Sequence, residues 1–205
     1  AAAPSERPNL LVRLAKLALN ELERPHQAVE FLESALRIDG DYIPALTLLG
    51  EHAYGQSDWE MARRIYGRLE ELEGPQARPD DVHRLGISML RRGDMQGAYE
   101  RLNSLRSQGY QFEGMPLAYL EACLETAQYA QVVASMSVID DQPRLARVEL
   151  LRRVARLLGD DERFQESARD AWAQLIELNA DDLEAQQALY LADAQPEEPP
   201  MHAQQ

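Results

Sequence analysis

Histidine, cysteine and carboxylate side chains carry most of the chemistry a protein can do, and this 205-residue sequence holds four histidines, one cysteine and 35 acidic residues. His26, His52, His83 and His202 are scattered, with no HExxH and no pair at i, i+4, the spacing that turns two imidazoles toward one zinc ion. His52 and His83 read as packed or solvated side chains. Cys123 lacks the sequence context of a nucleophile and reads as a small buried hydrophobe. A lone cysteine also rules out an internal disulfide framework, so it does not identify the redox compartment. The acidic pairs Asp80-Asp81, Asp140-Asp141 and Asp181-Asp182 read as helix starts, where carboxylates favour the helix dipole, rather than as acid–base pairs. Neither a glycine-rich phosphate loop nor a GxSxG elbow is present. The residues therefore point to no enzyme, no cofactor and no metal.

Charge narrows the partners further. The formal net charge of −14 repels phosphate backbones, which argues against nucleic acid. The densest basic cluster, Arg152, Arg153 and Arg156, is spread round a helix and reads as a solvated face that offsets nearby acids. No stretch approaches the roughly 20 apolar residues of a membrane span. Of 21 basic residues only Lys16 is a lysine, and with abundant Ala, Leu and Arg this suggests a GC-rich bacterial gene. Cytoplasm and periplasm both fit, with the envelope favoured.

The elements that position these side chains are best seen in residues 43–75, which read as a hairpin of two short helices. Ala62, Ile65, Tyr66, Leu69 and Leu72 recur at spacings of three and four and share one face. Ser57 with Glu60 resembles a capping box at that helix start. In the first helix Leu46, Leu49 and Ala53 form a stripe. Gly50 beside it is expected to sit under Ala62, small against small.

These places resemble the tetratricopeptide repeat (TPR), a unit of about 34 residues patterned W-x-x-L-G-x-x-Y, A-x-x-x-F and P. Here they hold Leu46, Leu49, Gly50 and Ala53, then Ala62 and Tyr66, with Pro75 near the end. The next unit has Val82, Leu85, Gly86 and Met89, then Ala98 and Leu102. The small-residue place recurs at Ala28, Ala62, Ala98, Val133 and Ala168, in steps of 34, 36, 35 and 35. The resemblance implies an all-α solenoid of about five hairpins plus a C-terminal capping helix. It forms a single superhelical domain over 9–194, with units at 9–40, 43–75, 79–107, 114–140 and 144–179 and a cap at 181–194. Residues 1–8 and 195–205 read as flexible ends. Packing within the repeats falls to Ala28, Leu49, Gly50, Ala62, Tyr66, Leu85, Gly86, Ala98, Val133, Ala168 and Trp172.

The fourth repeat diverges most, with Glu121, Val133 and Ser137 at the glycine, alanine and aromatic places, and Arg156 takes the glycine place of the fifth. Asp181 with Glu184 reads as a capping box for the last helix. The first helix is apolar nearly all round, with Leu10, Leu11 and Leu14 prominent, so further repeats, a second copy or a partner is expected to cover it.

In this family the first helices line a concave groove where another protein or peptide docks. By register the groove places hold Arg13, Leu17, Thr47, Glu51, Tyr54, His83, Ile87, Arg91, Ala118, Ala122 and Arg153. The Lys, Asn and Arg clamp of the chaperone-binding members is incomplete, so acidic heat-shock-chaperone tails are not expected to bind. What the resemblance implies is a non-catalytic protein-interaction scaffold, with bacterial envelope assemblies such as exopolysaccharide export or pilus biogenesis in its range. A homo-oligomerisation module, or an accessory domain of a larger enzyme or secretion protein, is the alternative.

Overall fold

Proline sets the start of several helices. The computed structural model describes residues 6–194, all helix, turn and loop with no strand among them. In chain order the helices are α1 (Arg7–Asn20), α2 (Pro25–Ile38), α3 (Ile43–Gly55), α4 (Trp59–Glu73), α5 (Pro79–Arg91), α6 (Met95–Ser107), α7 (Met115–Glu125), α8 (Tyr129–Ala134), α9 (Ser137–Asp140), α10 (Arg144–Gly159), α11 (Gln165–Leu178) and α12 (Leu183–Ala194). They follow one another in antiparallel pairs. Prolines stand in the first turn of α1, α2, α3 and α5, where the missing N–H would have had no helical partner.

Two compact units divide the chain, one ending at Tyr119 and the other starting at Leu120. In unit one the hairpins α1/α2, α3/α4 and α5/α6 pack on buried Ala28, Leu32, Leu49, Ala62, Tyr66, Leu69, Leu85, Ala98 and Leu102. In unit two the core is built on Leu120, Val132, Leu151, Val154, Leu158, Ala168, Trp172 and Leu175.

One device recurs at hairpin bends. Glu23, Ser57, Gly93 and Ala127 all have left-handed backbones, with φ of 51, 58, 83 and 53°. The residue after each donates its N–H back to the preceding helix: Arg24 to the Ala18 carbonyl at 2.8 Å, and Asp58 to Ala53, Asp94 to Met89 and Gln128 to Cys123 at 2.9 Å each. These bonds satisfy carbonyls at the helix end and reverse the chain. Gly93 adopts this conformation freely, whereas Ser57 and Ala127 hold it against a Cβ penalty.

Several details differ from the sequence reading. The nearest neighbours of Gly50 are Ile65 and Tyr66, one turn beyond the expected Ala62. A Cβ there would meet Ile65 Cγ2 and the Tyr66 ring at 3.1 Å, so the glycine admits the next turn of α4. Gly86 admits Leu102 in the same way, also at 3.1 Å. Ser57 is the left-handed turn residue and not a cap. Asp58 caps α4, accepting the Met61 N–H at 3.1 Å. Likewise Asp182, not Asp181, caps α12 and accepts from Ala185 at 3.1 Å, while Glu184 is drawn to Arg156. Asp140 ends α9 instead of starting a helix, and Asp141 follows it. Val133 is only half-buried, and its neighbour Val132 takes the buried place in the fourth repeat. That repeat's second helix is broken into α8 and α9 around buried Ser135.

At the start of the chain, Arg7 and Pro8 already belong to α1, so the helix begins before residue 9. The buried stripe of α1 is Pro8, Val12, Ala15 and Ala18. Leu10, Leu14 and Leu17 point outward and Leu11 is half-buried. The expected flexible ends at 1–5 and 195–205 lie outside the described residues.

Candidate functional site

Helices α1, α3 and α5, the first helices of unit one's hairpins, carry most of the residues nominated from the sequence. Arg13 is exposed on α1, as are Leu17 and Lys16. On α3, Thr47 and Tyr54 are half-buried and Glu51 is exposed. On α5, Ile87 is half-buried and Arg91 exposed. Neither Arg13 nor Lys16 has an ion pair among the described residues.

Three nominees are buried, and a fourth is engaged in an ion pair. His83 is only 8% exposed and stacks on Phe112 with ring centroids 4.6 Å apart. Burial pushes its pKa down from the ordinary value, although Asp80 nearby works in the opposite direction, so the ring sits neutral in the wall. Ala118 and Ala122 are buried in α7 and serve packing instead of leaving room for a partner. Arg153, in unit two, is tied to Glu125 at 2.6 Å. Arg152 and Arg156 are also paired, with Asp182 and Glu184 at 2.6 Å each, so the arginine cluster is spent on acids of its own unit.

The centre of the unit-one face is a residue that register reasoning passes over. Arg84, one place after His83, lies 6.0 Å from the Tyr54 ring centroid and 5.9 Å from that of Tyr66. Its guanidinium donates to the Tyr66 hydroxyl at 3.3 Å and meets Glu51 at 3.5 Å. Tyr54 in turn packs edge-on against Trp59, at 5.4 Å, and against Tyr66, at 6.4 Å. Desolvation raises the pKa of both phenols, that of Tyr66 to about 12, with Arg84 opposing the rise. Behind the cluster, Asp81 is 2% exposed and held by Arg78 at 2.7 Å. The signal in the sequence was one of reach: an arginine beside the groove register extends across two aromatic faces, where its weakly hydrated plane stacks well.

Beside this cluster opens a hollow of about 410 Å³ lined by Lys16, Ile43, Thr47, Glu51, Glu73 and Arg78. Glu51 therefore borders both the hollow and the arginine–tyrosine stack. The face combines aromatic and aliphatic surface with fixed hydrogen-bonding groups, and Lys16 of α1 stands at the hollow's edge. No group of three or more His, Cys, Asp or Glu able to hold a metal occurs among the described residues.

No protein-family model matches the sequence, and no curated protein matches it either. Similar solved structures are found instead. YrrB, a TPR protein with an unusual peptide-binding site, aligns with a TM-score of 0.59 at 16% identity, over 87% of this chain and 89% of that one. The PilF protein of Pseudomonas aeruginosa aligns at 0.49 and 21% identity, over 92% and 83%. A thermophilic TPR protein of Thermus thermophilus aligns at 0.42 and 16%, over 90% and 98%. The likeness to YrrB shows the fold: a TPR-like all-α solenoid of sequential helix pairs.

Proposed function

We propose that this chain is a non-catalytic scaffold that binds a segment of another protein on the first-helix face of unit one. The fold is one whose members generally serve protein–protein interaction. The observation that carries the proposal is the Tyr54–Arg84–Glu51 cluster. Its side chains are held by mutual stacking and hydrogen bonds before any partner arrives, so little rotamer entropy is lost on binding. YrrB carries a peptide-binding site on the same fold, and this reading puts one here. Tyr54 and Ile87 supply apolar contact, while Thr47, Glu51, Arg13, Lys16 and Arg91 set polarity and register. A role in a bacterial envelope assembly, as in exopolysaccharide export or pilus biogenesis, belongs to the same reading.

The test is selection of peptides from a random display library on the intact chain. Peptides enriched on the wild type are then titrated against Tyr54→Ala/Arg91→Glu. Loss of about tenfold or more in affinity is expected, because exposed-face aromatic and charged contacts contribute about 1–2 kcal/mol each. Equal affinity for a folded double mutant would place the contact surface elsewhere.

Exposed Leu10, Leu14 and Leu17, each 43–44% accessible, favour a second reading, self-association through α1. Sedimentation of the wild type and Leu14→Glu decides it: a dimer that persists in the mutant removes this route.

A further inference from the structure

Helix α12 enters its place as α3 does. A four-residue bend, Asn179 to Asp182, leads from α11 into it, as Asp39 to Tyr42 leads from α2 into α3. In both bends the fourth residue donates its N–H to the first residue's carbonyl, at 3.1 and 3.2 Å. Helix α3 is then covered by α4, its own hairpin partner. Helix α12 packs on α11 through buried Ala185, but among the described residues no hairpin partner follows it, and Tyr190 is 74% and Leu191 54% exposed. Between α11 and α12 runs a groove of about 510 Å³ whose floor includes Ala168, Trp172, Leu189, Leu191 and Ala192. A terminal helix that only met water would be polar there; this one lines the groove with Ala188, Leu189, Leu191 and Ala192.

The chemistry of the occupant follows from charge. Residues 120–194 carry seven arginines, no lysine and 15 acidic residues, a net charge of −8. Five of those arginines, Arg147, Arg152, Arg153, Arg156 and Arg163, are already bound to acids of the same unit. Glu166 and Arg169 stand on the groove's rim, within that excess of acid. We propose that the α11/α12 groove is a second docking site, which takes an amphipathic helix with an apolar face and basic flanks from another protein. The leucines and Trp172 receive the apolar face, and the acidic field of the unit speeds encounter and rejects acidic helices. This site is independent of the unit-one face.

Trp59 and Trp172 are the two tryptophans in the chain, so Trp59→Phe in the full chain makes Trp172 the reporter within the groove. The probe is a synthetic helical peptide of about 14 residues with leucine and alanine on one face and lysine on its flanks. Its titration is expected to shift Trp172 emission saturably. Affinity should fall about tenfold or more in Leu191→Glu, with a glutamate-flanked peptide of the same apolar face, and on raising the salt concentration. Tyr54→Ala/Arg91→Glu should leave it unchanged. A flat titration, equal binding by Leu191→Glu, or equal binding of the acidic peptide overturns the proposal. So does a dimer abolished by Leu191→Glu, which would seat a second copy in the groove. A truncation after Ala194 that alters Trp172 emission would make the chain's own 195–205 the occupant, and it too overturns the proposal.

Discussion

Replacing Gly50 with alanine tests the packing at the heart of unit one. The new methyl group would meet Ile65 Cγ2 at 3.1 Å and two Tyr66 ring carbons at 3.1 and 3.2 Å. Neither neighbour yields easily, since Ile65 is 4% exposed and Tyr66 fully buried, with its hydroxyl bonded to Arg84. Overpacking of this kind costs about 1–3 kcal/mol. Against it stands the helix-propensity gain of alanine over glycine, about 1 kcal/mol. The net expectation is a loss of about 1 kcal/mol. Gly67 in α4 is the matched control, because a Cβ there meets nothing within 4 Å. Gly67→Ala should therefore keep the full gain of about 1 kcal/mol. The two variants then differ by about 2 kcal/mol, close to 1 M in urea midpoint for an m-value of about 2 kcal/mol per M. The assay is urea unfolding followed by Trp59 fluorescence in a Trp172→Phe background, which reports unit one through α4 itself. A Gly50→Ala midpoint at or above that of the parent would refute the close approach of α3 and α4.

The other expectations are more local. Asp58→Ala should cost about 1 kcal/mol by removing the α4 cap, while Ser57→Gly should gain up to about 1 kcal/mol by relieving a left-handed backbone; urea midpoints of the pair check both. Asp182 is lowered in pKa although burial alone would raise it, because the Ala185 N–H and Arg152 outweigh the desolvation. Arg152→Leu should raise that pKa and speed amide exchange in α12 by about tenfold, since a hydrogen bond to a charged group contributes roughly 1.5–3 kcal/mol; unchanged exchange would count against the cap. Tyr66 is pushed to about 12 in the folded state from 10.0, so its contribution to stability is intact below pH 10 and fades as pH rises through 12. A near-ultraviolet titration of wild type minus Tyr66→Phe should place this phenol above the exposed ones; joint ionisation with them would contradict its burial.

The helix class and the hairpin period were legible because a two-helix unit must bury one stripe of each helix, and the spacing of alanine and leucine records that stripe directly. A small residue on this period, at Ala28, Ala62, Ala98 and Ala168, marks where rods touch, and all four are buried. The absence of a catalytic spacing was equally plain. Tertiary structure decided matters that depend on reach and direction. Which turn of α4 fills the notch at Gly50 depends on the crossing of two helices, and a one-dimensional register holds no crossing angle. Ser57 and Ala127 carry no mark of a left-handed bend, because the hairpin imposes that conformation on whatever residue stands there. Arg84 became the centre of the candidate face because a long side chain crosses to two tyrosines on neighbouring helices. Ala118 and Ala122 dropped out because small residues at groove places were claimed by packing. Periodicity reports which side of a helix is covered; only the assembled chain determines what covers it.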